Sequence, residues 1–473
     1  MKLHEVTFRA GVVEGFYGRP WTARQRRQLF GWMRAAGLNT YLYAPKDDLK
    51  HRAAWREPYD EGQMAELGAL IHDCQCHQLE FVYALAPGLD LRHADANDAA
   101  ALREKADQLR AAGCWHFALL FDDIPGELNP QDRQRFGTPA RAQAAVANQL
   151  AQAVHERTPE AQFLFCPTEY CGRMARPTVA ASPYLNELGE ALAPDILVLW
   201  TGPEIVSETI PVESIQELQR VLRRKPVIWD NLHANDYDMR RLHLGPYAGR
   251  PPELRAEVAG ILTNPNCQFE ANFVAVRTLG AYLHAMADWQ PREAYTEALS
   301  AWLPAFACHG RQVVTLEDLE LLGDLYYLPF ALGARAEAHL AAFTNLLRRP
   351  PPAWGGGDAA FEQTSREIVS LYDKLTALHD RDLLHSFYAH LWGAKELALL
   401  LLGWVRWRRS QPTPPPPFSP PEFDPGLLRG SLPAQIERLL PMDHQGRFSP
   451  AGSGGPPNPP GVADLRTGGS IRS

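Results

Sequence analysis

The sequence is poor in cysteine and contains no long hydrophobic run. Seven cysteines occur in 473 residues, and the odd number does not suit a framework of paired disulfide bonds. No stretch approaches the ~20 apolar residues that a membrane-spanning helix needs. The first residues also lack the apolar run of a signal peptide. We therefore expect no membrane partner, and reduced thiols in the cytoplasm or nucleus.

The chain also lacks an excess of positive charge. Its formal net charge is −8 and its isoelectric point is about 6.1, which argues against a nucleic-acid-binding surface. Hydrophobic residues make up 45% and charged residues 22%, as in ordinary soluble globular proteins. The length predicts two or three domains with a large core.

The cysteines lack the spacing of a structural zinc site. Cys74 and Cys76 form one close pair, and Cys166 and Cys171 form another. Zinc sites usually combine paired C-x2–4-C motifs, so we expect these sulfurs to pack as apolar groups. The sequence thus predicts no metal and no cofactor.

Eight short apolar runs recur through the first 265 residues, and stretches with helical spacing lie between them. The runs are 11–14, 40–44, 81–85, 117–121, 163–166, 196–200, 226–229 and 260–263. Such alternation is typical of repeated βα units, and eight units in about 280 residues match a (β/α)8 barrel. An open doubly wound sheet is the alternative. It would normally carry a glycine-rich phosphate loop after its first strand, and Gly15-Phe-Tyr-Gly18 is not that pattern.

The β pattern ends near residue 290. Segments 292–306, 316–348 and 361–408 are rich in leucine and alanine with helical spacing, and residues 350–357 form a break of proline and glycine. We predict an α/β fold in which a (β/α)8 TIM-like barrel, residues 1–290, precedes an α-helical stalk domain, residues 291–445. Residues 446–473 are rich in glycine, proline and serine and are expected to be disordered.

Two adjacent carboxylates, Asp122 and Asp123, follow the buried run Phe117–Phe121. Like charges at the end of a buried strand cost free energy unless one is protonated or both are bound. Paired acids at this position suit acid/base chemistry at a sugar or at a metal-bound substrate. The alternative is a surface turn or a helix N-cap, where aspartate is common.

Polar or glycine residues follow nearly every run. In a (β/α)8 barrel the residues after the strands share one rim, which is where active sites form. Surface loops are polar in any case, so the pattern only supports this interpretation. The residues are Glu14-Gly15, Lys46-Asp47-Asp48, Pro87-Gly88, Asp122-Asp123, Thr168-Glu169-Tyr170, Thr201-Gly202, Asp230-Asn231 and Asn264.

Several long strings within residues 10–290 closely resemble glycoside hydrolase family 84, the family of O-GlcNAcases. They occur in the family's order and with similar spacing, and a weaker resemblance continues into the helical part. The strings are Gly11-Val-Val-Glu-Gly-Phe-Tyr-Gly-Arg-Pro-Trp21, Asn39-Thr-Tyr-Leu-Tyr-Ala-Pro-Lys-Asp-Asp48, Phe165-Cys-Pro-Thr-Glu-Tyr-Cys171, Val198-Leu-Trp-Thr-Gly-Pro203, Trp229-Asp-Asn-Leu-His-Ala-Asn-Asp-Tyr-Asp238 and Leu262-Thr-Asn-Pro-Asn-Cys267.

The resemblance implies a retaining β-N-acetylglucosaminidase that removes O-linked GlcNAc from serine and threonine of nuclear and cytoplasmic proteins. In the family, the 2-acetamido oxygen of the substrate attacks the anomeric carbon and forms an oxazoline. Asp122 would then hold and polarise the acetamide N–H. Asp123 would protonate the leaving oxygen and later deprotonate water.

The resemblance also implies a set of sugar-binding residues. Each has an ordinary alternative, such as a solvated lysine, a turn residue or a core aromatic ring. The set comprises Gly15 and Lys46 near the hydroxyls and the acetamide, Tyr170 at the reacting centre, Asn231 at the acetamide carbonyl, Asp236 and Asn264 at the 4- and 6-hydroxyls, and Trp229 and Tyr237 as pocket walls.

The chain differs from animal members of the family, because it shows neither their long acidic insertion nor an acetyltransferase-like C-terminal region. The family's stalk forms a homodimer, so the resemblance implies a dimer of this chain. Three other functions stay open: a glycan-directed or hyaluronidase-like β-N-acetylglucosaminidase, a non-catalytic module that binds O-GlcNAc proteins, and a metal-dependent hydrolase.

Overall fold

The structure is a computed structural model that describes residues 8–286 and 288–418, together with 436, 439–442 and 447–448. Its first part is a closed barrel of eight parallel strands in sequential order, each paired with its chain neighbours and the last paired with the first. The predicted (β/α)8 barrel is thereby confirmed. The strands are β1 (Arg9–Glu14), β2 (Thr40–Tyr43), β3 (Glu80–Leu85), β4 (His116–Leu120), β5 (Phe163–Cys166), β6 (Leu197–Trp200), β7 (Val227–Asp230) and β8 (Gly260–Thr263).

The barrel interior is filled by apolar side chains at alternate positions of the strands. Successive residues of a strand point to opposite faces, so Val13 of β1, Leu42 of β2 and Leu120 of β4 share the inward face with Leu262 of β8. All four lie in one buried hydrophobic cluster to which every strand contributes. The interior is therefore a packed core, and only its ends are available for binding.

Helices surround the barrel. The first two begin at capping boxes, Thr22 with Gln25 and Asp60 with Gln63, in which each side chain bonds the backbone of the other residue. The helices are α1 (Ala23–Ala35), α2 (Glu61–Cys76), α3 (Ala96–Ala111), α4 (Pro130–Phe136), α5 (Pro139–Arg157), α6 (Pro183–Ala191), α7 (Val212–Leu222), α8 (Leu254–Glu257), α9 (Phe273–His284) and α10 (Pro291–Trp302).

The chain divides into two compact units, residues 1–302 and 303–473. The division lies after Trp302 rather than after residue 290, because α10 packs on α9. The rings of Phe273 in α9 and Trp302 in α10 stack with centroids 5.8 Å apart.

The described part of the second unit is helical, as predicted. Two predicted helical segments are each interrupted, the first at residues 326–333 and the second at 377–380. The first interruption contains Pro329 and ends at Gly333, where a side chain would collide with Asp324. Asp380 begins the last long helix by accepting a hydrogen bond from the backbone of Leu383, 3.0 Å away. The helices are α11 (Leu316–Leu325), α12 (Ala334–Arg348), α13 (Gly357–Thr376) and α14 (Arg381–Arg409).

Some predictions fall outside the described residues. They are the end of the stalk domain beyond residue 418, apart from a few positions, and nearly all of the tail at 446–473. Within the described part, no helix combines the length and apolar character that crossing a bilayer requires. All seven cysteines are free thiols.

Candidate active site

The predicted site residues collect at the carboxyl end of the barrel, as the strand alternation requires. Asp122 lies two residues after the inward-facing Leu120 and therefore points to the same side. Asn264 has the same relation to Leu262. Lys46 lies two residues after the inward-facing Ala44. Inward positions just past the strands meet above the packed core, so side chains from distant parts of the sequence come into contact there.

Asp122 and Lys46 form a buried ion pair. The Lys46 Nζ lies 2.6 Å from Oδ2 of Asp122, and the two side chains are 2% and 11% exposed. Burial raises the pKa of Asp122, but the positive charges of Lys46 and Arg52 outweigh this effect and hold the pKa below its usual range. Asp122 is therefore a fixed anion at neutral pH.

The second carboxylate oxygen of Asp122 is buried and unpartnered. No donor among the described residues reaches this Oδ1 atom. Buried polar atoms in proteins almost always have a hydrogen-bond partner, so the exception needs an explanation. An N–H or O–H of a ligand in the barrel mouth would satisfy it.

Asp123 has a different environment although it is the next residue. It is exposed, and its backbone is left-handed, with φ of 51°. Aspartate is among the few residues that tolerate this conformation. Tyr170 donates a hydrogen bond to its Oδ1 (2.9 Å) and Tyr17 donates one to its Oδ2 (3.0 Å). One acid is thus buried against a cation, and the other faces solvent beside two phenols, which suits two different chemical roles.

Three side chains from β7, β8 and the residues after them form one hydrogen-bonded wall. The Nε1 of Trp229 and the Nδ2 of Asn264 both donate to Oδ1 of Asn231, each at 3.0 Å. Asn231 in turn donates to the carbonyl oxygen of Ile205. The Oδ1 of Asn264 is buried and has no donor among the described residues. This wall therefore also offers an acceptor to a ligand.

Gly15 is required by its closeness to Trp229. A Cβ atom at position 15 would lie 2.3 Å from Cζ2 of the indole, which is inside van der Waals contact. Lys46 Nζ is 5.8 Å from the centre of the same ring. The backbone of Gly15, the indole and the buried ion pair therefore lie side by side.

Asp236 and Tyr237 lie at the edge of the cluster. The backbone N–H of Tyr17 donates to Oδ2 of Asp236 at 2.9 Å, and burial raises the pKa of this carboxyl. Tyr237 is 39% exposed, and its described contacts are with His243 and Arg241. Asp236 therefore contacts a residue of the cluster directly, through Tyr17. Tyr237 is connected to the cluster only because it follows Asp236 in the chain.

Tyr17 and Arg52 join the site although neither was among the predicted site residues. Tyr17 contacts Asp123 and Asp236, and its ring centre is 5.8 Å from the Nζ of Lys46. Arg52 donates to the backbone carbonyl of Asp123 at 3.3 Å. Tyr17 follows β1 within Gly15-Phe-Tyr-Gly18. Its position after a strand could therefore have identified it as a candidate site residue. Nothing in the sequence distinguishes Arg52 from a solvated arginine.

A buried clamp lies behind the hydrogen-bonded wall. Arg250 and Asp230 are both fully buried and form two charge-assisted bonds of 2.7 Å. Tyr247 donates a third bond to Asp230 at 2.7 Å. Arg250 also donates to the backbone oxygens of Ser207, Glu208 and Ala248. The clamp therefore joins the loop after β6 to the loop after β7.

The arrangement offers no ready metal site. Across the described ranges, no three His, Cys, Asp or Glu side chains come together as a set of ligands. The metal-dependent hydrolase alternative therefore gains no support from the donor set.

Comparison with known families decides the class of protein. The family model described as beta-N-acetylglucosaminidase matches residues 10–311, which is more than half of the chain. The chain belongs to this family. Active sites of (β/α)8 barrels form at the carboxyl ends of the strands, where the residues described above meet.

Curated relatives match part of this chain. The proteins named Protein O-GlcNAcase from Rattus norvegicus and Mus musculus are each 52% identical to it over 275 residues. The match covers 58% of this chain and 30% of each relative. The chain thus spans less than a third of the length of these relatives.

A solved structure resembles more of this family member. It is an Asp-to-Asn mutant of the O-GlcNAc hydrolase from Thermobaculum terrenum, with a TM-score of 0.73 and 28% identity. The likeness covers 84% of this chain and 83% of the other. It therefore extends beyond the barrel into the helical part.

Proposed function

We propose that this chain is a retaining β-N-acetylglucosaminidase that removes O-linked GlcNAc from serine and threonine by substrate-assisted catalysis. The observation that carries the proposal is the unpartnered, buried Oδ1 of Asp122 beside the exposed Asp123. Ordinary retaining glycosidases place two carboxylates about 5–5.5 Å apart on opposite sides of the bond. Two adjacent acids in such different environments suit a reaction in which only one of them serves the glycosidic oxygen.

Asp122 would accept the acetamide N–H on its open Oδ1, while Lys46 keeps the carboxylate ionised. This hydrogen bond increases the electron density on the acetamide oxygen and orients it toward the anomeric carbon. The anion also stabilises the positive charge of the oxazolinium ion, the N-protonated form of the oxazoline, a preorganised electrostatic effect.

Asp123 would be the general acid and then the general base. Its exposure gives the leaving group and the incoming water access to its carboxyl. The phenols of Tyr17 and Tyr170 hold it in one orientation. A positioned acid of this kind typically contributes about a hundred- to ten-thousandfold to the rate.

The remaining residues would bind the sugar. Asn231 uses one amide proton on Ile205, so its second can reach the acetamide carbonyl. The open Oδ1 of Asn264 and the carboxylate of Asp236 would accept from the 4- and 6-hydroxyls. Gly15, Tyr170, Trp229 and Tyr237 would complete the pocket.

Fluorination of the substrate tests the proposed mechanism. We expect kcat/KM for an aryl β-N-acetylglucosaminide to fall steeply as its acetamide methyl carries one, two and three fluorines, because each fluorine weakens the oxygen as a nucleophile. The measurement is hydrolysis of the four substrates under one set of conditions.

Turnover that does not respond to fluorination would indicate an enzyme nucleophile and contradict the role of Asp122. No turnover from folded protein that still binds GlcNAc would favour a non-catalytic binding module. Cleavage of free glycans but not of glycoproteins would favour the glycan-directed alternative.

The substrates would be O-GlcNAc-modified proteins of the cytoplasm and nucleus. Support comes from the curated relatives named Protein O-GlcNAcase and from the seven free thiols, which suit a reducing compartment.

We also propose that the chain forms a homodimer through its helical unit. Tyr388 and Trp392, four residues apart on α14, stack on each other and are 41% and 45% exposed. Exposed aromatic residues are enriched at interfaces between proteins. Light scattering at micromolar concentration should give twice the chain mass, and a monomer mass would contradict the dimer.

A further inference from the structure

A cavity of about 290 Å³ lies beside the loop that follows β4 and contains Asp122 and Asp123. Its walls are residues 88–93, which follow β3, and residues 124–129, which follow β4. Ile124 in this wall directly follows Asp123. A second concavity of about 200 Å³ borders the same loop and shares Glu127 with the first. The space therefore begins one residue beyond the proposed acid, within reach of a peptide attached to the leaving oxygen.

Most charges around this cavity are already paired. Asp90 accepts from Trp55 (2.8 Å) and from Arg56 (2.6 Å). Asp132 accepts from the backbone N–H groups of His93 (2.8 Å) and Ala94 (2.7 Å) and is buried. These acids maintain the shape of the loops and leave little charge for a ligand.

Arg92 and Glu127 complete the charges of the wall. Arg92 pairs with Asp95 at 2.8 Å. Glu127 is exposed and has neither an ion-pair nor a hydrogen-bond partner among the residues that the structure describes. The charge that the first cavity offers to a ligand is therefore negative, whereas the second concavity is also lined by Arg133.

His93, in the same wall, has a ring nitrogen without a hydrogen-bond partner among the described residues. Its side chain is 8% exposed, and its Nδ1 lies 3.0 Å from Oδ2 of Asp132. Burial lowers the pKa of His93, so the ring is neutral at pH 7 and Nδ1–H donates to Asp132. The Nε2 then carries a lone pair, and it is buried without a donor among the described residues.

We propose that this cavity binds a basic side chain, arginine or lysine, of the polypeptide that carries the sugar, and that Glu127 selects it by charge. A cationic side chain supplies the N–H donors that Glu127 and the ring of His93 lack. The cavity has the volume of several water molecules, at about 30 Å³ each, which accommodates a long flexible side chain. This inference rests on the proposed function and adds a preference among its protein substrates.

Matched glycopeptides test the inference. Pairs of O-GlcNAc peptides would differ only in carrying arginine or norleucine at one position, scanned in turn on both sides of the modified serine. The wild-type chain should favour arginine at one position or a short run of positions, by about two- to fivefold in kcat/KM, the effect of one exposed ion pair. Added salt should reduce the preference, because salt screens exposed charges.

Variants of Glu127 separate charge selection from other effects. Glu127→Gln should remove the preference for arginine, and Glu127→Lys should reverse it, so that norleucine is favoured over arginine at the same position. Glu160→Gln is the matched control, because Glu160 is exposed in the loop before β5, at the opposite end of the barrel. It removes the same charge and should retain the arginine preference.

Equal kcat/KM for arginine and norleucine at every position would overturn the inference, as would a preference that survives in Glu127→Gln. Either result leaves the proposed function intact if the glycopeptides and an aryl glycoside are cleaved. Folded protein that cleaves none of these substrates would overturn the proposed function and this inference together.

Discussion

Replacing Asp122 with asparagine is expected to lower turnover of an aryl β-N-acetylglucosaminide about a hundred- to a thousandfold, the usual effect of losing one preorganised electrostatic contact in a transition state. The carboxamide carries no charge to stabilise the positive oxazolinium ion, although it occupies nearly the same space. Steady-state kinetics of the purified variant measures the effect. Asp47→Asn is the matched control, because Asp47 is an exposed acid beside Lys46 and its loss should leave turnover nearly unchanged.

The Asp122 variant also affects stability, and a second substitution separates the two effects. Without the carboxylate, the buried ammonium of Lys46 has no counter-charge, which typically costs about 3–5 kcal/mol in the free energy of unfolding. Adding Lys46→Met removes that charge. Stability should then recover while turnover stays low; recovery of turnover together with stability would contradict a catalytic role for Asp122.

The pH dependence of this pair follows from the lowered pKa of Asp122. The folded chain holds this carboxyl below its ordinary pKa of 3.8, so the pair stabilises the fold fully above that pH. The contribution is lost only as pH falls through the lowered pKa. Asp122 should therefore not produce an acid limb in the pH profile of kcat/KM near neutral pH.

Replacing Asp123 with alanine should have an effect that depends on the leaving group. A dinitrophenyl leaving group needs no proton. For that substrate, the variant's kcat/KM should therefore fall by about tenfold or less. A methoxyphenyl or serine leaving group does need a proton. For those substrates, kcat/KM should fall by about a thousandfold. The measurement is a plot of log kcat/KM against the pKa of the leaving phenol, for wild type and variant.

The slope of that plot distinguishes acid catalysis from structural damage. A steeper slope in the variant indicates a lost proton donor. Parallel lines would mean that the substitution damages all substrates equally and would contradict the acid role. Tyr170→Phe is a useful companion, since it removes one hydrogen bond to Asp123 and keeps the carboxyl.

The barrel was predictable because its strands are buried on both faces and therefore appear as continuous apolar runs. The runs at 163–166 and 260–263 coincide with β5 and β8. The interruptions of the helical part were harder to predict. Residues 377–380 carry no proline or glycine, and the break there follows from the capping of α14 by Asp380.

The inward-facing residues of the site could also be predicted from the sequence, because they continue the alternation of their strands past the last apolar residue. The contacts of Tyr17 and Arg52 could not be predicted in this way. Their partner Asp123 lies about a hundred and about seventy positions away in the chain, so only the closed barrel brings them together. The open Oδ1 of Asp122 likewise depends on side-chain packing that no local pattern specifies.

The way in which Arg250 holds its loops has a consequence for evolutionary change. The guanidinium binds backbone oxygens at Ser207, Glu208 and Ala248, and a backbone oxygen is present whatever the side chain. Substitutions at Glu208 and Ala248 therefore leave these bonds available. Descendants of this chain can vary the composition of both loops while the hydrogen-bonded wall of Trp229, Asn231 and Asn264 keeps its shape, provided that Arg250 and Asp230 are retained.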